Sequence, residues 1–362
     1  MSSEIITRTV GPNAAKRALR EAFKVKRPVF LWGPPGVGKS DIAKQLADEM
    51  DALFIDIRLS LWEPTDIKGI PYFSADTNVM KWAPPIELPS AELASQYDTV
   101  ILFLDEMNSA APSVQAAAYQ LVLNRRVGTY VLPDNVLIIA AGNRETDRGV
   151  TNRMPKPLAN RFTHLEMKVD WNDYFEWATE NKIHSDILGY LSYAKKDLYD
   201  FDPKADTRAF ATPRSWTYVS DFFYHTTDES TLTDLVAGSI GEGLAVKLMA
   251  HRKHSANCPL PIEVLEGKVK KLQTKEISAM YSLIIGMCYE LLEQSSIDSK
   301  TWHKYCNNFL QFSMDNFETE LVIMGIRLAL TQYNLTFHMD EIECFDTFNN
   351  RYGKYIAKVN ER

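Results

Sequence analysis

The sequence predicts an α/β fold: a parallel sheet carrying a phosphate-binding loop, followed by an all-α lid and a C-terminal helical extension. Three observations predict it. Val29–Trp32 reads as a buried strand that runs into Gly33-Pro34-Pro35-Gly36-Val37-Gly38-Lys39-Ser40, a fit to G-x-x-x-x-G-K-[ST], and then into a stretch with helical spacing. Apolar strand-like runs and helical patterns alternate as far as Val169. From Asp170 the strands stop and only helical periodicity remains. We therefore expect an α/β core over 1–170 with an insert at about 62–86, a lid over 171–255 and an extension over 256–362.

Composition sets the outer limits. At 362 residues the chain is long for a single core, and its 45% apolar and 24% charged content is that of an ordinary globular protein. A formal net charge of −7 argues against a dominant nucleic-acid surface, although not against a local basic pore. Cys258, Cys288, Cys306 and Cys344 are scattered, with neither a CxxC pair nor metal-ligand spacing, and read as reduced residues. Met1–Val10 lacks the apolar segment of a signal peptide, and no stretch reaches the ~18 uninterrupted apolar residues of a membrane span. A cytoplasmic protein is expected.

In chain order, Pro12–Lys26 places Ala14, Ala15, Ala18, Leu19, Ala22 and Phe23 on one side of a helix that Pro28 closes. The glycines of the next loop let backbone N–H groups close around phosphates, and the helix beginning near Asp41 points its positive end at them. Residues 33–41 are thus the candidate nucleotide cradle. Lys39 reaches the β- and γ-phosphates, and the Ser40 hydroxyl holds Mg²⁺. Residues 52–59 form a second strand, and a strand–helix–strand unit with short links implies a parallel pair.

Residues 60–90 differ in texture, rich in proline and aromatic residues, with a hairpin running from Gly69 to Phe73 and back from Val79 to Trp82. A hairpin projecting from a rigid core is a place for substrate contact. Residues 99–104 are a continuous apolar run that ends in Asp105-Glu106. Carboxylates at the C-terminal end of a parallel strand sit where such sheets bind ligands: Asp105 can hold the Mg²⁺ and Glu106 can polarise the attacking water.

A helix over 112–123, a hairpin centred on Gly128 and a strand over 135–141 follow, closing on Gly142-Asn143-Arg144. Asn143 is a candidate for contacting the attacking water or the γ-phosphate, although an Asn after Gly is elsewhere a turn residue. Arg144, Arg148 and Arg153 lie in the polar stretch that follows. Arg161 precedes the fifth strand, 164–169, and is a candidate to reach a neighbouring subunit's γ-phosphate.

Beyond Asp170, helices are expected over 173–180, 183–194, 213–224, 232–251, 277–292 and 317–333. Thr212 suits an N-cap and Pro213 the first helical position, which leaves Arg214 at the positive end of a helix dipole, a position suited to an arginine awaiting phosphate. Gly238, Gly241 and Gly243 suggest close helix packing. Residues 257–362 carry no chemical signature.

The ordered series of phosphate loop, Asp-Glu strand, Asn strand tip and two later arginines resembles the P-loop NTPases of the AAA+ class over roughly 12–224, and within them the MoxR-like, dynein-related branch. Three segments carry the narrower resemblance: Glu63–Gly69 with its hairpin, Leu104–Gln115 and Leu158–Phe162. The resemblance implies that Lys39 and Ser40 are the Walker A pair, Asp105 and Glu106 the Walker B pair, Asn143 sensor 1, Arg161 the arginine finger and Arg214 sensor 2. Ser109 stands where the family usually has Arg, and Arg144 where it has Pro, making Arg144 a second candidate for a trans contact.

It further implies Mg-dependent ATP hydrolysis in a six-subunit ring and a remodelled protein partner, often one with a von Willebrand factor A domain. Two other classes stand beside this reading. One is a nucleic-acid motor whose pore would be lined by Arg125, Arg126 and residues 144–153. The other is a slow nucleotide-gated scaffold.

Overall fold

The computed structural model describes residues 8–147, 152 and 154–357. The chain divides into two compact units, one running to Asp170 with Asp202–Ala205 added, the other made of Trp171–Phe201 and the chain from Asp206 onward.

The first unit contains, in chain order, β1 (Thr9–Val10), α1 (Pro12–Lys24), β2 (Val29–Trp32), α2 (Lys39–Glu49), β3 (Leu53–Arg58) and α3 (Pro64–Lys68). The hairpin β4 (Ile70–Ser74) and β5 (Val79–Ala83) comes next, then α4 (Ala91–Ala94), β6 (Val100–Asp105) and α5 (Pro112–Asn124). A second hairpin, β7 (Arg126–Val127) and β8 (Tyr130–Val131), leads to β9 (Val136–Gly142), α6 (Lys156–Ala159) and β10 (Thr163–Met167). The six strands outside the hairpins form one sheet in the order β1-β10-β2-β9-β6-β3, and every pair is parallel.

Strand alternation sorts the core into two layers. Val29 and Leu31 pack with Ile101, Phe103, Ile139 and Ala141 against the apolar faces of α1 and α2. Phe30 points the other way and joins Leu102, Leu104, Ile138 and Ala140 beneath α5. The central strands β6 and β9 are covered on both faces, which is why they read as unbroken apolar runs rather than alternating ones.

Five of the six strands follow the sequence pattern. The sixth, β1, pairs only with the edge of β10 and is two residues long, too short for any periodicity to reveal.

The second unit is helical: α7 (Trp171–Glu180), α8 (Ser185–Tyr193), α9 (Pro213–His225), α10 (Glu229–Ile240), α11 (Glu242–Ser255), α12 (Pro261–Leu265), α13 (Ile277–Glu293), α14 (Ser299–Asn316), α15 (Thr319–Arg327) and α16 (Phe345–Ala357). Helices on either side of residue 256 share one packed body. Gly189 of α8 lies so close to α13 that a Cβ there would stand 2.0 Å from Ser282 Oγ.

The single helix expected over 232–251 is two. Gly241, at φ +90°, ends α10 and turns the chain into α11. A Cβ on Gly238 or Gly243 would meet nothing within 4 Å, so neither glycine serves close packing. Their shared signal was the turn at Gly241.

Candidate nucleotide site

The loop between β2 and α2 is built by its glycines. Gly36 and Gly38 have φ of +72° and +91°, in the left-handed region that side chains other than glycine's rarely enter. Gly33 lies against the chain, where a Cβ would come within 3.1 Å of Val37 Cγ1 and 3.2 Å of the Met167 carbonyl. Pro34 and Val37 are buried, Pro35 half-buried, and Gly38 caps α2 so that Lys39, Ser40 and the exposed Asp41 form its first turn. The result is a ring of backbone N–H groups at a helix N-terminus, the arrangement that binds phosphate.

Lys39 Nζ donates to the carbonyls of Gly33 (2.7 Å) and Pro34 (3.1 Å) and to Asn143 Oδ1 (2.9 Å). That last bond depends on topology. β9 lies between β2 and β6, so its tip, carrying Asn143, stands between the phosphate loop and the Asp-Glu pair. Asn143 is held in turn: its carbonyl accepts from Asn108 Nδ2 at 2.7 Å. Asn108 is buried and packs so closely that a Cβ on Gly142 would be 2.1 Å from its Oδ1.

Asp105 ends β6, and its Oδ1 accepts from the Glu106 backbone N–H at 2.8 Å. Burial pushes its carboxyl above the ordinary aspartate value; the hydrogen bond and Lys39 pull it down, and Glu106 pushes it further up. Asp56 on β3 is raised as well, by burial and by Asp105. Asp105 is thus a costly place for an uncompensated negative charge, as a cation ligand is before its cation arrives.

Among the described residues no three His, Cys, Asp or Glu side chains cluster as a metal site. The donor set, one carboxylate at Asp105 and one hydroxyl at Ser40, fits a hard cation, and these two residues would hold Mg²⁺. The glycine cradle fits a triphosphate. Bound Mg²⁺ would neutralise charge on the phosphates.

Glu106 has φ +52°, a left-handed conformation at a non-glycine residue. Its carboxylate is engaged: Ser60 Oγ donates to Oε2, and Arg58 Nε lies 3.8 Å from Oε1. Ser60, Arg58 and Asn108 are site residues that the sequence reading missed. Arg58 is the last residue of β3 and Ser60 lies two residues beyond it, an end that only the sheet order brings beside β6.

The arginines part company. The Arg144 guanidinium is bonded within its own chain to Asp147 (3.0–3.2 Å) and to Glu166 of β10 (3.1 Å). Arg148 and Arg153 lie outside the described residues. Arg161 is exposed and stands before the first residue of β10, at the end of the sheet opposite the loop. Arg214 belongs to the second unit, exposed in the first turn of α9, where Thr212 is the N-cap and Pro213 opens the helix as the sequence led us to expect, and Ser215 completes a capping box with Thr212.

The loop, the acidic strand end and the strand inserted between them define a P-loop ATPase domain. Residues 29–168 match the family described as "ATPase family associated with various cellular activities (AAA)". Among curated proteins, the chain is 26% identical over 202 residues to midasin of Giardia intestinalis, covering 52% of this chain and 4% of that one. It is 30% identical over 133 residues to the cell division cycle protein 48 homolog of Archaeoglobus fulgidus, 34% of this chain and 16% of that one. The chain therefore spans a small fraction of either relative's length. Among solved structures, Thermotoga maritima RuvB, a Holliday junction branch migration motor, overlaps 71% of this chain and 75% of its own at 17% identity and a TM-score of 0.35. Residues 29–168 thus match an AAA ATPase domain, and ATP hydrolysis is the activity that the family's description names.

Proposed function

We propose that this protein hydrolyses Mg-ATP at a site shared between copies of itself in a hexameric ring, and uses the cycle to remodel a protein partner. The observation that carries the proposal is the place of Arg161. In the parallel register Thr163 lies beside Val29, so Arg161 stands level with Arg27, six residues before Gly33. At about 3.3 Å per residue that is roughly 20 Å from its own phosphate loop, beyond the reach of an arginine side chain. A finger so placed serves the site of another copy, and a contact between two different faces closes into a ring where the rotation permits.

Each residue of the site then has a task. The loop N–H groups and Lys39 bind and orient the phosphates, while Ser40 and Asp105 would hold the cation. Glu106 takes up the proton of the attacking water once it leaves Ser60, and Asn143 fixes Lys39 and the water side of the phosphate. Arg214 couples the second unit to the bound nucleotide, and that unit moves as one lid in which residues 171–255 and 256–362 travel together.

The partner reading rests on the β4–β5 hairpin. Tyr72, Val79, Phe73, Met80 and Ile70 are 47–68% exposed, an apolar ribbon with Lys81 as its one cation. Such a surface suits polypeptide rather than phosphodiester. The nucleic-acid alternative weakens at Arg125, whose guanidinium turns back to the carbonyls of Pro133 and Val136. The family resemblance offers a von Willebrand factor A domain protein as the partner class.

The test is ATP turnover per subunit against protein concentration, for the native chain and Arg161→Ala. Turnover that climbs with concentration and falls by about 10³-fold or more in the variant supports the shared site. Turnover that is independent of concentration in a monomer of confirmed size refutes it.

A further inference from the structure

The end of the sheet away from the phosphate loop holds a recess of about 150 Å³ around which four cations stand: Lys26, Arg27, Arg125 and Arg161. Its remaining lining is Pro28 and aliphatic side chains, and no carboxylate lines it. Among the described residues no Asp or Glu lies within 4.0 Å of the charged nitrogens of Lys26, Arg27 or Arg161. In a chain of net charge −7 this is a local excess of positive charge, offset only at Arg125, where Asp134 stands close enough to act on the guanidinium. The α1 carboxy-terminal end adds only about half a negative charge nearby. Arg125 is fixed in place by its two carbonyl bonds, 2.6 and 2.9 Å, which leaves the other three to receive a ligand.

Backbone geometry sets Arg27 and Arg161 side by side. Val29 and Thr163 are partners in register, and the Thr163 N–H donates to the Pro28 carbonyl at 2.9 Å. Each arginine stands two residues before its member of that pair, in the segment leading into one of two adjacent strands about 4.8 Å apart. Arg27 is tied down by its N–H to Ala22 O (3.0 Å), and Lys26, at φ +51°, by its N–H to Phe23 O (3.0 Å). The backbone therefore holds the cations in place while their side-chain nitrogens stay available.

We propose that this recess receives the terminal phosphates of the nucleotide bound by the neighbouring copy, with Arg27 a second catalytic cation acting in trans beside Arg161 and Lys26 reinforcing the field. The proposal rests on the shared-site reading above. Two planar guanidinium forks engage more of the γ-phosphate oxygens than one, and both meet the charge that gathers there as the bond to the leaving oxygen breaks. The chain's own nucleotide, some 20 Å away, cannot occupy the recess.

Complementation between copies tests it. Arg27→Ala, or Arg27→Gln where the alanine variant does not fold, is expected to lower ATP turnover about ten-fold, the effect of one charge-assisted hydrogen bond made in the transition state. Its binding of a fluorescent ATP analogue and its assembled size by sedimentation are expected to match the native chain. Lys39→Ala copies cannot use their own loop but still present Arg27 and Arg161. Mixed one to one with Arg27→Ala copies, they are expected to restore turnover several-fold. The Arg161→Ala mixture is the control. If it recovers and the Arg27→Ala mixture does not, or if Arg27→Ala alone leaves turnover unchanged, the role of Arg27 is overturned. If neither mixture recovers, the shared site itself is overturned.

Discussion

Replacing Ser60 by alanine removes the hydroxyl that holds Glu106 Oε2 and leaves Arg58, 3.8 Å from Oε1, as the remaining restraint. A hydrogen bond to a charged acceptor is worth about 1.5–3 kcal/mol when buried. The Glu106 side chain is 40% exposed, so water replaces much of that bond and about 1 kcal/mol is left. The Arg58 pair is more exposed still, at 54%, and adds little. One kilocalorie per mole corresponds to roughly a five-fold change in the population of the released carboxylate. Ser60→Ala is therefore expected to raise partner-free ATP turnover about five-fold with nucleotide affinity unchanged. The assay is steady-state phosphate release at saturating ATP, with Glu106→Gln as the inactive control. Unchanged turnover would show that Ser60 does not restrain the base. Lowered turnover would show that the Ser60 bond is itself the productive arrangement, and the reasoning would fall.

Two further expectations concern stability. Burial, with a smaller push from Glu106, raises the Asp105 pKa, so its ionised form is penalised in the folded chain; Asp105→Asn should raise the melting temperature of nucleotide-free protein while abolishing hydrolysis. A lower melting temperature would contradict this. In the second unit, burial depresses the pKa values of His184 and His251 below the ordinary histidine value, with Asp186 opposing in both. The unfolded chain then binds more protons below about pH 6.5, so stability is fully present above that pH and is lost as pH falls toward the folded values. Thermal melts from pH 7.5 to 5 should show this loss, and His251→Asn should flatten it; an equal slope in the variant would assign the loss elsewhere.

The parts of the site that were legible share a property: each is local in the chain. The loop announces itself because Gly36 and Gly38 must take left-handed backbone and Lys39 and Ser40 must follow at a fixed offset. β6 and β9 announce themselves because burial on both faces demands unbroken apolar runs. Residue type alone did not separate the arginines. Arg144, Arg161 and Arg27 are chemically alike, yet Arg144 is closed off by Asp147 and Glu166 while the other two flank one recess. The glycines at 238 and 243 misled for the converse reason: they are small residues in a helical pattern with no neighbour to accommodate.

By itself the sequence determined the phosphate loop, the acidic strand end, the order of strands and helices and the point where strands give way to helices, because glycine conformation, hydrophobic period and capping act over a few neighbouring residues. Only the tertiary structure decided that β9 enters between β2 and β6, bringing Asn143 to Lys39, that the end of β3 delivers Ser60 to Glu106, and that Arg27 and Arg161 stand together at the far end of the sheet. Those pairings join residues separated by 46 to 134 positions, and the parallel register that creates them is written in no single stretch of the chain.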